Sequence, residues 1–422
     1  MIQVIHGNFL FTKTRVGFTY RPDSYLLLKD GIIDALLDRL PDEYSSLPCL
    51  DFSKNLIIPG FCDLHTHAPQ FMNCGTGYDE ELIPWLEKYT YPTESRFSDN
   101  NYASKAYLDF FRELWRVGTT RACVFGTLHR EASEILFSQM LSSGIGGYVG
   151  KVNMDRNSIP SLSETTAESI TETEAFLSHT CNKSDLVKPI LTPRFVPSTS
   201  EKLMSALGSL AEKYDLPIQS HVSENRDEVE WVRQLHPDIP SFSEVYDYYG
   251  LLREKRTILA HAIYLEDREK ALLKDKEIYL AHCPLSNNNM ASGIMPLSEY
   301  MNRDMLLGLG TDVSGGHRLD MMSSISGACE ASNLLYVFEP RHRRVNLSEA
   351  FYLATKGGGS FFGKVGSFEE GYEADMLVLD PDIFPHRDAG TPEQMIGRFV
   401  YSADVSKIQH RFVRGREIFC FS

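Results

Sequence analysis

The chain has 422 residues, 42% of them hydrophobic and 23% charged, with a formal net charge of −15. That length buries a large core and leaves room for one large domain and a smaller one. The negative charge, with no Lys/Arg-rich block, excludes a binder of phosphate backbones, and no apolar run approaches the length of a membrane span.

The N-terminus, Met1-Ile-Gln-Val-Ile-His-Gly-Asn-Phe-Leu10, lacks the charged-then-apolar layout of a secretory signal, so a cytoplasmic protein is expected. Residues 1–57 read as short strands separated by turns. Within them, Tyr25-Leu-Leu-Leu-Lys-Asp-Gly-Ile-Ile33 places an Asp-Gly turn between two apolar runs, a hairpin signal. Leu56-Ile57-Ile58 then leads into Pro59-Gly-Phe-Cys-Asp-Leu-His65-Thr-His67, and Leu56 to Leu64 is taken to include the first strand of the next domain.

Residues 70–97 form a long aromatic-rich connection containing Tyr78, Trp85, Tyr89 and Tyr91. It suits either a cover over a site or a docking surface for another subunit. The acidic tract from Glu164 to Glu174 reads as a solvated helical face. One strand–helix–strand unit follows. Lys188-Pro-Ile-Leu-Thr-Pro-Arg194 is strand-like, Pro197-Ser-Thr-Ser200 offers a helix cap, and Leu203, Met204, Leu207, Leu210 and Ala211 fall at helical spacing. Pro217 bars further helix, and Ile218-Gln-Ser-His221 resumes a strand.

Repeated alternation of this kind predicts a parallel sheet, and at this length a closed (β/α)8 TIM-like barrel spanning residues 58–366. The absence of Gly-x-Gly-x-x-Gly leaves a doubly wound dinucleotide fold little support. Ala374-Asp-Met-Leu-Val-Leu-Asp380 and Gln409–Ile418 are strand-like, so residues 367–422 are expected to join residues 1–57 in a small β-sandwich domain. The eight cysteines are scattered with no Cys-x-x-Cys pair, which argues against a zinc ribbon or a disulfide framework.

Alternate residues of a strand share a face, so His65 and His67 emerge together at a strand's C-terminal end. Taken alone, such a pair is better explained by packed or loop histidines. The recurrence changes this: Leu216-Pro-Ile-Gln-Ser-His221, Thr257-Ile-Leu-Ala-His261 and Met305-Leu-Leu-Gly-Leu-Gly-Thr-Asp312 each end an apolar run in a metal-competent side chain. In one parallel barrel all five converge on the C-terminal rim, where barrel enzymes carry their sites. Three imidazoles and a carboxylate suit Zn²⁺ or Fe²⁺. Glu224, three residues past His221, could relay protons or could be a solvated loop residue, because Asn225-Arg-Asp-Glu228 is polar. His282 follows the strand-like Ile278-Tyr-Leu280, and its role is open. His129, His179, His236, His317, His342, His386 and His410 sit in polar, turn-like or helical contexts that fit surface or supporting roles.

Pro59-Gly-x-x-Asp-x-His65-x-His67, Ser220-His221-x-x-Glu224, Ala260-His261, His282-Cys-Pro-x-Ser286-Asn287 and Gly310-Thr-Asp312 together resemble the amidohydrolase superfamily, and more closely its mononuclear, zinc-dependent deaminase branch. The resemblance spans nearly the whole chain, including the return from barrel to β-sandwich at Gly366-Ser-Phe-Glu-Glu-Gly-Tyr-Glu-Ala-Asp-Met-Leu-Val378. His67-x-x-Gln70, Pro193-Arg194-Phe195, Ser220-His-x-Ser-Glu-Asn225 and Leu309-Gly-Thr-Asp-Val-x-Gly-Gly316 are most similar to the members of that branch that act on guanine.

The resemblance implies one Zn²⁺, rather than Fe²⁺, on His65, His67, His221 and Asp312. It also implies Glu224 as proton shuttle, Asp312 as base, and His261 hydrogen-bonded to the attacking water or its adduct. Gln70, Arg194 and Phe195 would line the purine pocket beside His221 and Asp312. Hydroxide generated at zinc would attack C2 of guanine to give xanthine and ammonia, and a homodimer is expected. Lys151 is a possible metal-bridging lysine if two metals were present. The alternatives are a relative acting on another purine, a pterin or a triazine, and an inactive barrel serving as scaffold.

Overall fold

The structure is a computed structural model that describes residues 2–380 and 390–420; His386 lies outside the described residues. Eight parallel strands form the central barrel: β1 (Phe61–His67), β2 (Thr119–Phe125), β3 (Gly146–Gly150), β4 (Val187–Pro189), β5 (Ile218–Val222), β6 (Thr257–His261), β7 (Tyr279–His282) and β8 (Leu306–Leu309). Continuous parallel ladders join β1 to β4 and β5 to β8.

Backbone hydrogen bonds close the two gaps. The Leu191 and Gln219 amides donate to Pro217 and Leu191 carbonyls at 3.0 and 2.9 Å, and the Asp312 and His67 amides donate to His65 and Val313 carbonyls at 2.8 and 3.1 Å. The barrel is a TIM-like one, as the strand–helix alternation predicts. Its interior is filled by Leu64, Cys123, Ile190, Ile258, Ala260, Ala281 and Cys283, so it is packed core rather than a pore.

Amphipathic helices cover the outside. Glu201–Lys213 follows the expected pattern: Ser200 caps it by accepting from the Leu203 amide at 3.3 Å, and Leu203, Met204, Leu207, Leu210 and Ala211 face the core. The strand-like run from Lys188 is shorter than its sequence implies, because Pro189 and Pro193 remove ladder donors. It splits into β4 and the two-residue strand Thr192–Pro193, which pairs with Val152–Asn153.

A seven-stranded sheet is built from both ends of the chain: Ile2–Phe11, Thr19–Lys29, Ile32–Leu37 and Cys49–Pro59 with Met376–Leu379, Ile408–Val413 and Arg416–Glu417. The Asp30-Gly31 hairpin is present, with positive φ at both residues (51° and 81°), as a right-twisting two-residue turn requires. Leu56-Ile57-Ile58 belongs to this sheet, pairing with Met376–Leu379, and the first barrel strand starts beyond Gly60. An apolar run carries no mark of which of two adjoining sheets it enters, so the two strands read as one in sequence.

The sheet curls over its own small core of Ile5, Phe9, Leu26, Ile57, Phe368, Met376 and Phe412, and the Ile33 amide donates to the Tyr372 carbonyl at 2.8 Å. Arg121 of β2 fastens barrel to sheet. It is buried, and its Nε donates to Asp375 Oδ2 at 2.6 Å. All eight cysteines are free thiols, and among the described residues no helix is long and apolar enough to cross a membrane.

Candidate active site

The C-terminal rim gathers the residues that sequence spacing pointed to. His65 and His67 leave β1, His221 leaves β5, His261 ends β6, and Asp312 follows β8. His67 Nε2 lies 3.1 Å from His221 Nε2, and Asp312 Oδ1 lies 3.1 Å from His65 Nε2 and 3.3 Å from His67 Nε2. The donor atoms of His65, His67, His221 and Asp312 all fall within 4.8 Å of one another. Four donors at about 2.0–2.1 Å from a tetrahedral ion are spaced about 3.3 Å apart, so the cluster has the dimensions of a single zinc site.

The surroundings aim these donors. His221 Nδ1–H donates to the Arg194 carbonyl at 2.6 Å, which leaves the Nε2 lone pair facing the cluster. His65 is fully buried and neither ring nitrogen has a hydrogen-bond partner, an arrangement that a cation would satisfy. Burial holds His67 down at about 4 and His221 well below the usual imidazole range, so both stay neutral, as metal donors must. Gly310 lets β8 approach, since a Cβ there would stand 2.8 Å from His65 Cβ.

His261 and Asp312 both carry positive φ (74° and 46°), backbone strain of the kind that persists where the surrounding structure over-determines it. His261 Nδ1–H donates to Asn287 Oδ1 at 2.8 Å. Its Nε2 therefore faces two carboxylates, Glu224 Oε2 at 3.4 Å and Asp312 Oδ2 at 3.6 Å. Their environments push them apart. Burial, then the Asp312 charge, raises the Glu224 carboxyl well above the usual range. For Asp312, burial is outweighed by the close approach of the His65 and His67 rings, which holds it well below. Two carboxyl groups separated in this way are suited to opposite halves of a proton-transfer task. Glu224 is buried, not solvated: its amide donates to Glu228 Oε2 at 2.8 Å, and Asn225 and Glu228 form the capping box of helix Arg226–Leu235.

The cluster opens into a cavity. Gln70, Arg194 and Phe195 line it, along with His67, His221, Glu224 and Asp312. Leu82, Trp85 and Leu86 from the 70–97 connection and Met290 add apolar wall. Trp85 and Tyr91 of that connection are each 3% exposed, and Trp85 faces the cavity. Glu94 carries no sign of a site residue in the sequence. It is buried behind the wall, and accepts from Arg194 Nη1 at 2.6 Å and from Gln70 Nε2 at 2.9 Å.

An amidohydrolase family model matches residues 56–418, which takes in the whole rim. The chain belongs to the amidohydrolase family. It is 39% identical over 377 residues to a guanine deaminase of Dictyostelium discoideum (87% of this chain, 84% of that one). It is also 39% identical over 401 residues to a guanine deaminase of Homo sapiens (91% and 88%). Among solved structures it resembles the guanine deaminase of C. acetobutylicum with guanine bound in the active site, at 44% identity and a TM-score of 0.97, covering 99% of this chain and 100% of that one.

In this amidohydrolase Lys151 does not join the donor cluster. Its Nζ donates to Glu164 Oε2 at 3.0 Å in a buried pair, which also removes Glu164 from the solvated face expected for the 164–174 tract. His282 is buried, and burial holds it down at about 3; it belongs to neither group of metal-competent donors found among the described residues. The second such group is His65, His261, Cys283 and Asp312, which shares two members with the first.

Proposed function

We infer that this amidohydrolase deaminates guanine hydrolytically to xanthine and ammonia. The observation that carries the reading is the four-donor cluster opening into a cavity whose other wall presents Arg194, Gln70 and Phe195, with Glu224 and His261 between them. Similarity to guanine deaminases, one of them with guanine bound, supports it.

We propose that His65, His67, His221 and Asp312 hold one zinc ion. When bound, zinc acidifies water to a pKa of about 7 and so supplies a nucleophile at neutral pH. Arg194 donates to the purine O6, Gln70 fixes the ring edge, and Phe195 packs on the apolar ring. His261 orients the attacking oxygen at C2. The attacking water's first proton reaches the ring nitrogen through Glu224 as the C2–O bond forms; its second, taken from the hydroxyl by Asp312, reaches the departing amine through Glu224 as the C2–N bond breaks. Adenine, with an amino group at C6, leaves the Arg194 donors unpaired and is rejected.

We also propose a cytoplasmic homodimer. Leu334, Tyr336, Val337 and Phe338 at the exposed end of helix Met321–Phe338 support a covered face, and sedimentation at a monomer's mass would contradict it.

The test is turnover by the purified, zinc-loaded protein. Loss of guanine absorbance with stoichiometric xanthine and ammonia is expected. Turnover of a pterin or of ammeline with guanine untouched would sink the reading.

A further inference from the structure

Glu94 does not line the cavity, yet it controls two residues that do. It sits on the short helix Tyr91–Ser95, is 1% exposed, and uses one carboxylate oxygen for each partner: Oε2 for Arg194 Nη1 at 2.6 Å and Oε1 for Gln70 Nε2 at 2.9 Å. A carboxylate only accepts, so the nitrogen end of the Gln70 amide must face Glu94. The oxygen end is occupied from the other side by the Ser314 amide, which donates to Gln70 Oε1 at 3.4 Å. The amide therefore cannot turn over without losing both contacts. Arg194 is held the same way, with its guanidinium over the Tyr91 ring at 5.1 Å. What remains for a ligand on this wall is mainly donors, the second Gln70 N–H and the other guanidinium N–H groups, beside one lone pair of Gln70 Oε1.

We propose that Glu94 is the positioning residue that turns the Arg194 and Gln70 donors toward the ligand, and so selects purines bearing a 6-oxo acceptor over purines with hydrogen or an amino group there. The inference rests on the guanine reading above. Its physical basis is a count of acceptors. Glutamine at 94 has one oxygen where glutamate has two, so it can satisfy Gln70 or Arg194 but not both, and it leaves a buried guanidinium without its nearest counter-charge.

The test compares guanine with 2-aminopurine, which keeps the reacting 2-amino carbon and lacks the 6-oxo group. In zinc-loaded Glu94→Gln, guanine kcat/KM should fall about 10- to 100-fold, mostly through KM. The 2-aminopurine dissociation constant, read from its own fluorescence, should move less than about threefold, with metal content unchanged. Equal losses for both ligands, or unchanged guanine KM, would overturn the proposal. Wild-type protein that fails to deaminate guanine would instead refute the functional reading. Arg194→Met supplies the second arm, because the double variant with Glu94→Gln carries no unpaired buried charge. If Glu94 acts through Arg194, adding Glu94→Gln to Arg194→Met should cost guanine under about threefold more. A full, additive loss would show that Glu94 acts elsewhere.

Discussion

Replacing Glu228 with glutamine should make the protein more resistant to alkaline pH. Glu228 is fully buried. Its Oε2 accepts from the Glu224 amide at 2.8 Å and the Asn225 amide at 3.4 Å, while Oε1 has no partner. Burial, then the Glu224 charge, raises this carboxyl from 4.5 to about 8. The folded chain thus keeps a proton that the unfolded chain releases across that window. Glu228 contributes its full stability below pH ~4.5, and this is lost at about 1.4 kcal/mol per pH unit until about pH 8. The whole window is worth up to about 5 kcal/mol. Glutamine keeps one oxygen for the two amides, places an NH2 where the unpaired oxygen sits, and has nothing to titrate. Urea unfolding of both zinc-loaded proteins from pH 5 to pH 9 isolates the effect, because titrations common to the two proteins cancel in the difference. The variant should gain about 3–4 kcal/mol on wild type between pH 5 and pH 8, and the gain should level off above. Parallel stability curves would refute the buried, protonated carboxyl.

Glu224→Gln should lower kcat about 10²- to 10⁴-fold with zinc content unchanged, measured by xanthine formation and atomic emission. Arg194→Met should lower guanine kcat/KM yet keep its zinc, because the main-chain carbonyl of Arg194 holds His221 Nδ1 at 2.6 Å; loss of zinc would contradict that division of labour. Arg121→Met strands the buried Asp375 carboxylate, and should cost about 3–5 kcal/mol in unfolding free energy while leaving guanine KM unchanged.

The rim is readable in the sequence because strand-end positions recur. An apolar run of barrel length followed by His or Asp appears at His65/His67, His221, His261 and Asp312, and a parallel barrel brings such ends together whatever lies between them. The helix Glu201–Lys213 is readable for a similar reason, since cap, period and terminating proline agree. Glu94 is not, because Tyr91-Pro-Thr-Glu94 has no local pattern that distinguishes a buried counter-ion from a surface glutamate; its role comes from partners 24 and 100 residues away. Glu164 and Glu228 mislead in the same direction. Each stands in a polar stretch that reads as solvated, and each is turned inward by a contact that only the fold creates, Lys151 for one and the Glu224 amide for the other. Local pattern reports periodicity well and the partners of a buried charge poorly.

The proposed chemistry requires a single zinc ion among His65, His67, His221 and Asp312, beside the guanine cavity. Anomalous diffraction at the zinc edge, from crystals soaked with guanine, tests it most directly. One peak is expected within about 2.3 Å of all four donors, with the purine C2 facing it and O6 toward Arg194. A peak bound instead by His261 and Cys283, or guanine lying with O6 away from Arg194, would contradict it.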